Sequence, residues 1–154
     1  MTATAYTDVK ESAHLKPASL VQDELLAVCQ AIQGIAWPNA CGLTEALEST
    51  LSRPGKLFRP SLHLIAAKAC NDGKVNDNDI QTAAVAELIH TATLLHDDVL
   101  DDASLRRGKP TLKHEAGNRV AILSGDYLLA QASLKLSELN NCRLVGIYAK
   151  VLSD

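Results

Sequence analysis

From Asn78 to Asp101 the chain reads "NDIQTAAVAELIHTATLLHDDVLD", 24 residues without a glycine or a proline. Rich in alanine and leucine, this run favours one unbroken helix, because neither strong helix breaker interrupts it. It is apolar nearly all round, and such a helix needs neighbours on every side. The other segments fit a bundle built around it. "SLVQDELLAVCQAIQ" places Leu20, Leu25, Val28 and Ile32 at helical spacing, with Ser19 as N-cap and Gly34 as the stop. "LTEALESTLS" reads as a shorter helix capped at Thr44, and "RPGKLFRP" interrupts it with Pro54, Gly55 and Pro60. "SLHLIAAKAC" resumes a helix that Pro60 starts, and the polar "NDGKVNDND" ends it. Beyond Asp101, "ASLRRGKPTLKHEAGN" reads as a loop with a short helical turn. "RVAILSGDYLLAQASLKLSEL" forms a second mostly apolar helix, and "CRLVGIYAKVL" begins another. With no alternating strand pattern and no βαβ rhythm, the fold class is all-α, with about six or seven helices. Two helices that are apolar all round leave few others to cover them, so a further part or a partner is expected.

A chain of 154 residues suits one domain. Residues 1–17 read as a loose arm ending at Pro17, and 18–154 as the helical domain. A net charge of -3, one Phe, one Trp and three Tyr argue against a nucleic-acid binder, which needs basic patches or stacking platforms. Cys29, Cys41, Cys70 and Cys142 form no CxxC pair and no zinc spacing, so they read as reduced core thiols. The first residues, "MTATAYTDVKESAH", contain no apolar signal core. No apolar run reaches the roughly 18 residues that a membrane span requires. A soluble, cytoplasmic protein is the expectation.

Asp97, Asp98, Asp101 and Asp102 crowd the C-terminal end of the long helix. The helix dipole is negative there and favours cations, not carboxylates. Asp97 and Asp101 stand at i and i+4, a like-charge spacing that costs a few tenths of a kcal/mol even in water. A divalent cation among the oxygens reverses that cost, and Mg²⁺ in particular uses one or two carboxylates with phosphate and water. A solvated acidic helix end is the competing reading of an isolated DDxxD. His90, Thr93, Asp97 and Asp101 fall on one helical stripe, which adds weight to the functional reading. Lys56 and Arg59 precede a helix start, where free N–H groups also attract anions. Arg106 and Arg107 follow the aspartates, and arginine matches phosphate oxygens bidentately. Together these are the parts needed to hold two phosphorylated ligands and magnesium side by side.

Three ordered segments carry a resemblance to the trans-isoprenyl diphosphate synthases, or polyprenyl synthetases. "GKLFRP" resembles the family's GKxxRP, "ELIHTATLLHDDVLDDASLRRGKPT" its first aspartate-rich region, and "LSGDYLLA" its GDYLL segment. The similarity runs from about residue 20 to the end. The resemblance implies an isoprenoid-synthase-type helical bundle. It implies that Asp97, Asp98 and Asp101 are the DDxxD carboxylates, with Asp97 and Asp101 binding Mg²⁺ against an allylic diphosphate. Arg106 would contact that allylic diphosphate, while Lys56, Arg59, His90 and Arg107 would hold isopentenyl diphosphate. The implied reaction is head-to-tail condensation: the allylic C–O bond ionises, the isopentenyl double bond attacks the cation, and a proton leaves. Small residues at Ala92 and Thr93, about one turn before Asp97, leave room for a growing chain. They favour a long, octaprenyl-type product for quinone side chains over a C15 one. A geranylgeranyl or farnesyl product, set deeper in the tunnel, is the alternative.

Members of the family are about twice as long and carry a second aspartate-rich motif. After Asp126 the only acidic residues here are Glu138 and Asp154. The expectation is therefore the N-terminal half of a synthase, inactive alone and prone to form homo-oligomers through uncovered apolar faces. A non-catalytic subunit that pairs with a longer synthase is the alternative.

Overall fold

The structure, a computed structural model, describes residues 16–35, 43–52 and 55–153. The elements are α1 (Lys16–Ser19), α2 (Gln22–Gln33), α3 (Leu43–Leu51), α4 (Phe58–Cys70), α5 (Asp77–Leu100), β1 (Leu105–Arg106), β2 (Lys109–Pro110), α6 (Leu112–Ala116), α7 (Asn118–Glu138) and α8 (Cys142–Ser153). Most of the predicted arm, together with Cys41 and Pro54, lies outside the described residues.

The long helix forms as expected and is the axis of the bundle. Thr82, Ala83, Ala84 and Val85 are four successive buried residues, so α5 is enclosed on every side at that level. It packs against α2, α4 and α7, the contact with α7 being the most extensive. The α7 side of that seam is Ala121, Ser124, Gly125, Leu128, Ala132 and Leu136, mostly small and spaced as one helical stripe. Leu88 on α5 and Leu128 on α7 are almost wholly buried. Each such leucine contributes about 2 kcal/mol of hydrophobic stabilisation. Asn76 begins α5 with a capping box: its side chain accepts from the Asp79 N–H (3.1 Å), and the Asp79 carboxylate accepts from the Asn76 N–H (2.9 Å).

Several boundaries differ from the sequence reading. Ser19 closes α1 and does not cap α2, whose N-cap is Val21 with no side-chain bond. The buried stripe of α2 accordingly uses Val21, Leu25, Val28, Cys29 and Ile32, while Leu20 is 65% exposed. Thr44 lies inside α3. Helix α4 starts at Phe58, not at Pro60, and the proline sits in the first turn, where its missing N–H has no helical partner to lose. The expected loop after Asp101 contains a small antiparallel hairpin, with Leu105 opposite Pro110 and Arg106 opposite Lys109. Its two-residue turn, Arg107-Gly108, has φ of 52° and 77°. Positive φ at both central positions is what a type I′ hairpin requires. Among the thiols of the described residues Cys29 is buried, while Cys70 and Cys142 are exposed, so the reading of core thiols fails for those two.

Candidate functional site

A cleft of about 360 Å³ opens between α2, α3, the start of α4, the outward half of α5 and the hairpin. Two separate segments bring cations to it, Lys56 and Arg59 beside the α4 start and Arg106, Arg107 and Lys109 on the hairpin, and α5 adds the His90 imidazole. The left-handed backbone of Leu57 (φ 48°) makes the first of these placements. Leu57 is buried and its carbonyl accepts from the Ser61 N–H (2.9 Å) and hydroxyl (2.8 Å), so the turn between Lys56 and Arg59 is pinned. A leucine held in that conformation stores strain that its surroundings must offset.

The hairpin makes the second placement. The Ala103 N–H donates to the Asp98 carbonyl (3.0 Å), and the Thr111 hydroxyl donates to the Ala103 carbonyl (2.7 Å). Thr111 also caps α6 by accepting from the His114 N–H (3.2 Å). The chain thus folds back so that residue 106 meets residue 98. The Arg106 Nε donates to the Asp98 Oδ1 at 2.8 Å, and Asp98 is only 5% exposed. A carboxylate that buried requires a partner.

Lys113 pairs with Asp102, and that hydrogen bond holds the Asp102 carboxyl below the usual carboxylate range. So two of the four crowded aspartates already have cations. Asp97 and Asp101 do not: both are exposed, and among the described residues neither side chain has a hydrogen-bond or ion-pair partner. They stand one helical turn apart, joined by the Asp101 N–H donating to the Asp97 carbonyl (2.8 Å). The two lie outside the cleft lining, but Asp97 is close enough to act on His90. Among the described residues no three His, Cys, Asp or Glu side chains converge into a protein cage for a metal. Two neighbouring carboxylates without partners still match the donor set Mg²⁺ uses when phosphate and water complete its shell.

The cleft is electrostatically uneven. Burial lowers the His90 imidazole below its ordinary value; Arg59, Arg107 and Arg106 lower it further, and Asp97 opposes them. His90 is therefore neutral at pH 7, able to donate one hydrogen bond. Burial pushes the Glu87 carboxyl up, against the positive charges of Arg59 and Arg107. Cys29 also lines the cleft, and burial followed by the Glu87 charge pushes its thiol up to about 11, which leaves it unreactive. Glu87 and Lys113 were both missed by sequence reasoning. Glu87 could have been found three residues before His90, on the same helical face; Lys113 gives no such local signal. Ala92 is fully buried, and Thr93, half-buried, donates its hydroxyl to the His90 carbonyl (2.8 Å). Neither is part of the cleft lining.

A family model described as polyprenyl synthetase matches residues 41–154. The chain is 36% identical over 140 residues to a prenyl transferase of Cyanidium caldarium, a match covering 90% of this chain and 43% of the relative. It is 40% identical over 137 residues to heptaprenyl diphosphate synthase component 2 of Geobacillus stearothermophilus, covering 88% and 42%. The fold superposes with a TM-score of 0.78 and 33% identity on a polyprenyl synthase from Caulobacter crescentus CB15 complexed with calcium and isoprenyl diphosphate, covering 87% of this chain and 40% of that one. The chain spans less than half the length of each of these three proteins. No helix among the described residues is long and apolar enough to cross a membrane.

Proposed function

We propose that this chain, which belongs to the polyprenyl synthetase family, binds isopentenyl diphosphate and an allylic diphosphate beside Mg²⁺ and supplies part of the machinery of trans-polyprenyl chain elongation. The observation that carries this reading is the sorting of the aspartates. Asp98 and Asp102 are neutralised internally, while Asp97 and Asp101 stand together on one face with no ion-pair partner among the described residues. Those two would hold the metal, which when bound would draw charge from a leaving diphosphate.

The chain's own residues would do the rest by position and charge. Lys56, Arg59, His90 and Arg107 would hold isopentenyl diphosphate in the cleft; the fixed charges of Lys56, Arg59 and Arg107 and the hydrogen bond of neutral His90 would orient it without reorganisation during the reaction. Arg106, held by Asp98 through Nε, keeps its remaining guanidinium N–H groups to offer the allylic diphosphate. The apolar walls Leu57, Leu88, Leu94 and Leu95 would exclude water from a cationic intermediate. Small side chains at Ala92 and Thr93 favour a long product.

Because the sequence contains one aspartate-rich segment, the 154-residue chain is expected to bind these ligands without elongating them. A second reading, in which the chain works as one component of a multi-part synthase, gains support from α8. None of its residues is buried, and Val145, Ile147, Val151 and Leu152 are exposed. Light scattering of the purified chain is expected to show association, with itself or with a longer synthase; a strict monomer counts against that part. The binding itself is tested by calorimetric titration with isopentenyl diphosphate. Arg59→Ala and Arg107→Ala should each weaken it by about tenfold or more, the loss of a charge-assisted contact. A wild-type chain that fails to bind isopentenyl diphosphate sinks the proposal.

A further inference from the structure

The last turn of α5 is one that electrostatics works against, because acidic side chains accumulate at the negative end of the helix dipole. Something must keep it wound and aimed. On one side Asp98 is tied to Arg106. On another side, His96 reaches into α7. The His96 Nε2 lies 3.2 Å from the Ile122 carbonyl, and a carbonyl can only accept, so this nitrogen carries the hydrogen. The same nitrogen is 3.3 Å from the Asp126 carboxylate. The ring fits because α7 has no side chain at Gly125. A Cβ there would stand 2.6 Å from the His96 Cδ2 and 3.0 Å from its Cε1, closer than packed atoms tolerate. For the ring to yield, it would have to turn away and give up its contact with the Ile122 carbonyl. Successive helical residues point about 100° apart, so Asp97 sits between two anchored neighbours.

We infer that His96 is a positioning residue: its ring, admitted by Gly125, locks the aspartate end of α5 to α7 and holds Asp97 and Asp101 in the geometry in which they share a cation. This rests on the metal–diphosphate reading proposed above.

A double-mutant cycle tests it, using wild type, Gly125→Ala, His96→Ala and the pair. Two quantities are read: affinity for pyrophosphate in the presence of Mg²⁺ by calorimetry, and Tm without ligand. Gly125→Ala and His96→Ala should each weaken binding about tenfold, as groups that orient metal ligands do. The double variant should bind no worse than His96→Ala, because the clash disappears with the ring. Gly125→Ala should be better tolerated by Tm in the His96→Ala background than in the wild type, because the clash with the ring is gone and alanine has the better helix propensity. His96→Gln, which keeps an N–H donor, should recover part of the affinity, whereas His96→Leu should not. Gly125→Ala alone removes no hydrogen-bonding group, so it carries the test if His96→Ala does not fold. Variants that lose Tm but bind pyrophosphate with wild-type affinity would reduce His96 to a packing role and overturn the inference. Additive effects of the two substitutions would do the same. A wild type that binds no Mg²⁺–pyrophosphate overturns the functional reading underneath, and this inference with it.

Discussion

The two ends of α5 carry the same kind of side chain in opposite circumstances. At the N-terminus Asp77 and Asp79 lie where the helix dipole is positive, and Asp79 closes a capping box with Asn76. At the C-terminus Asp97, Asp98 and Asp101 lie where it is negative, with no basic residue in the last turn. Acids at the first end stabilise the helix outright. Acids at the second end oppose the dipole, and among the described residues a cation pairs with Asp98 but with neither Asp97 nor Asp101. The acids at one end of this helix serve its stability; under the function proposed above, those at the other end would serve a ligand.

Substitutions along α5 should separate the two purposes, beginning with the largest effect. Leu88→Ala, at the enclosed middle, should cost about 3 kcal/mol in denaturant unfolding, because the leucine is almost wholly buried. Arg106→Ala should cost about 2 kcal/mol, since it leaves a buried Asp98 carboxylate without its partner. Arg106→Ala with Asp98→Ala should recover part of that loss, which would confirm that the unpaired charge is its source. Asn76→Ala should cost about 1 kcal/mol through the lost cap and leave pyrophosphate affinity unchanged, which marks the N-terminal end as purely structural. Any fall in affinity with Asn76→Ala would break the comparison.

Glu87 gives a smaller, pH-dependent effect. Its folded pKa is raised above the ordinary value of 4.5 by burial, so the folded state binds its proton more tightly than the unfolded one. Its contribution favours folding below about that value and is lost as pH rises through the folded pKa. Glu87→Gln should therefore flatten this part of the stability profile and raise stability at neutral pH. An unchanged profile would show that Arg59 and Arg107 cancel the burial.

Much of this architecture was legible from side-chain spacing. The unbroken run from Asn78 to Asp101 predicted α5 to within a residue at each end, because periodicity and the absence of Gly and Pro act locally. The cap at Ser19 misled because a short preceding helix takes that residue, and capping preference cannot tell which helix a serine belongs to. The hairpin escaped because strands of two residues show no alternation. Of the cleft's cations, Lys56, Arg59, Arg106 and Arg107 were named in advance from their residue types, while Lys109 was not. Their pairings were not, since Arg106 meets Asp98, and Lys113 meets Asp102, only after the chain reverses at Arg107-Gly108. The contact of His96 with Gly125 spans two helices and leaves no trace in local sequence.

The central claim is that Asp97 and Asp101 form a cation-dependent diphosphate site at the end of α5. The most direct measurement is the thermal shift produced by pyrophosphate with and without Mg²⁺, in wild type and in the Asp97→Asn, Asp101→Asn double variant. Without ligand the double variant should be as stable as wild type, or a few tenths of a kcal/mol more so, because a like-charge i,i+4 pair has been removed. With ligand, wild type should gain stability only when both Mg²⁺ and pyrophosphate are present; at a hundredfold excess over Kd the gain is about 2.7 kcal/mol. The double variant should lose most of that gain. An equal Mg²⁺-dependent gain in both proteins, or none in wild type, would contradict the account.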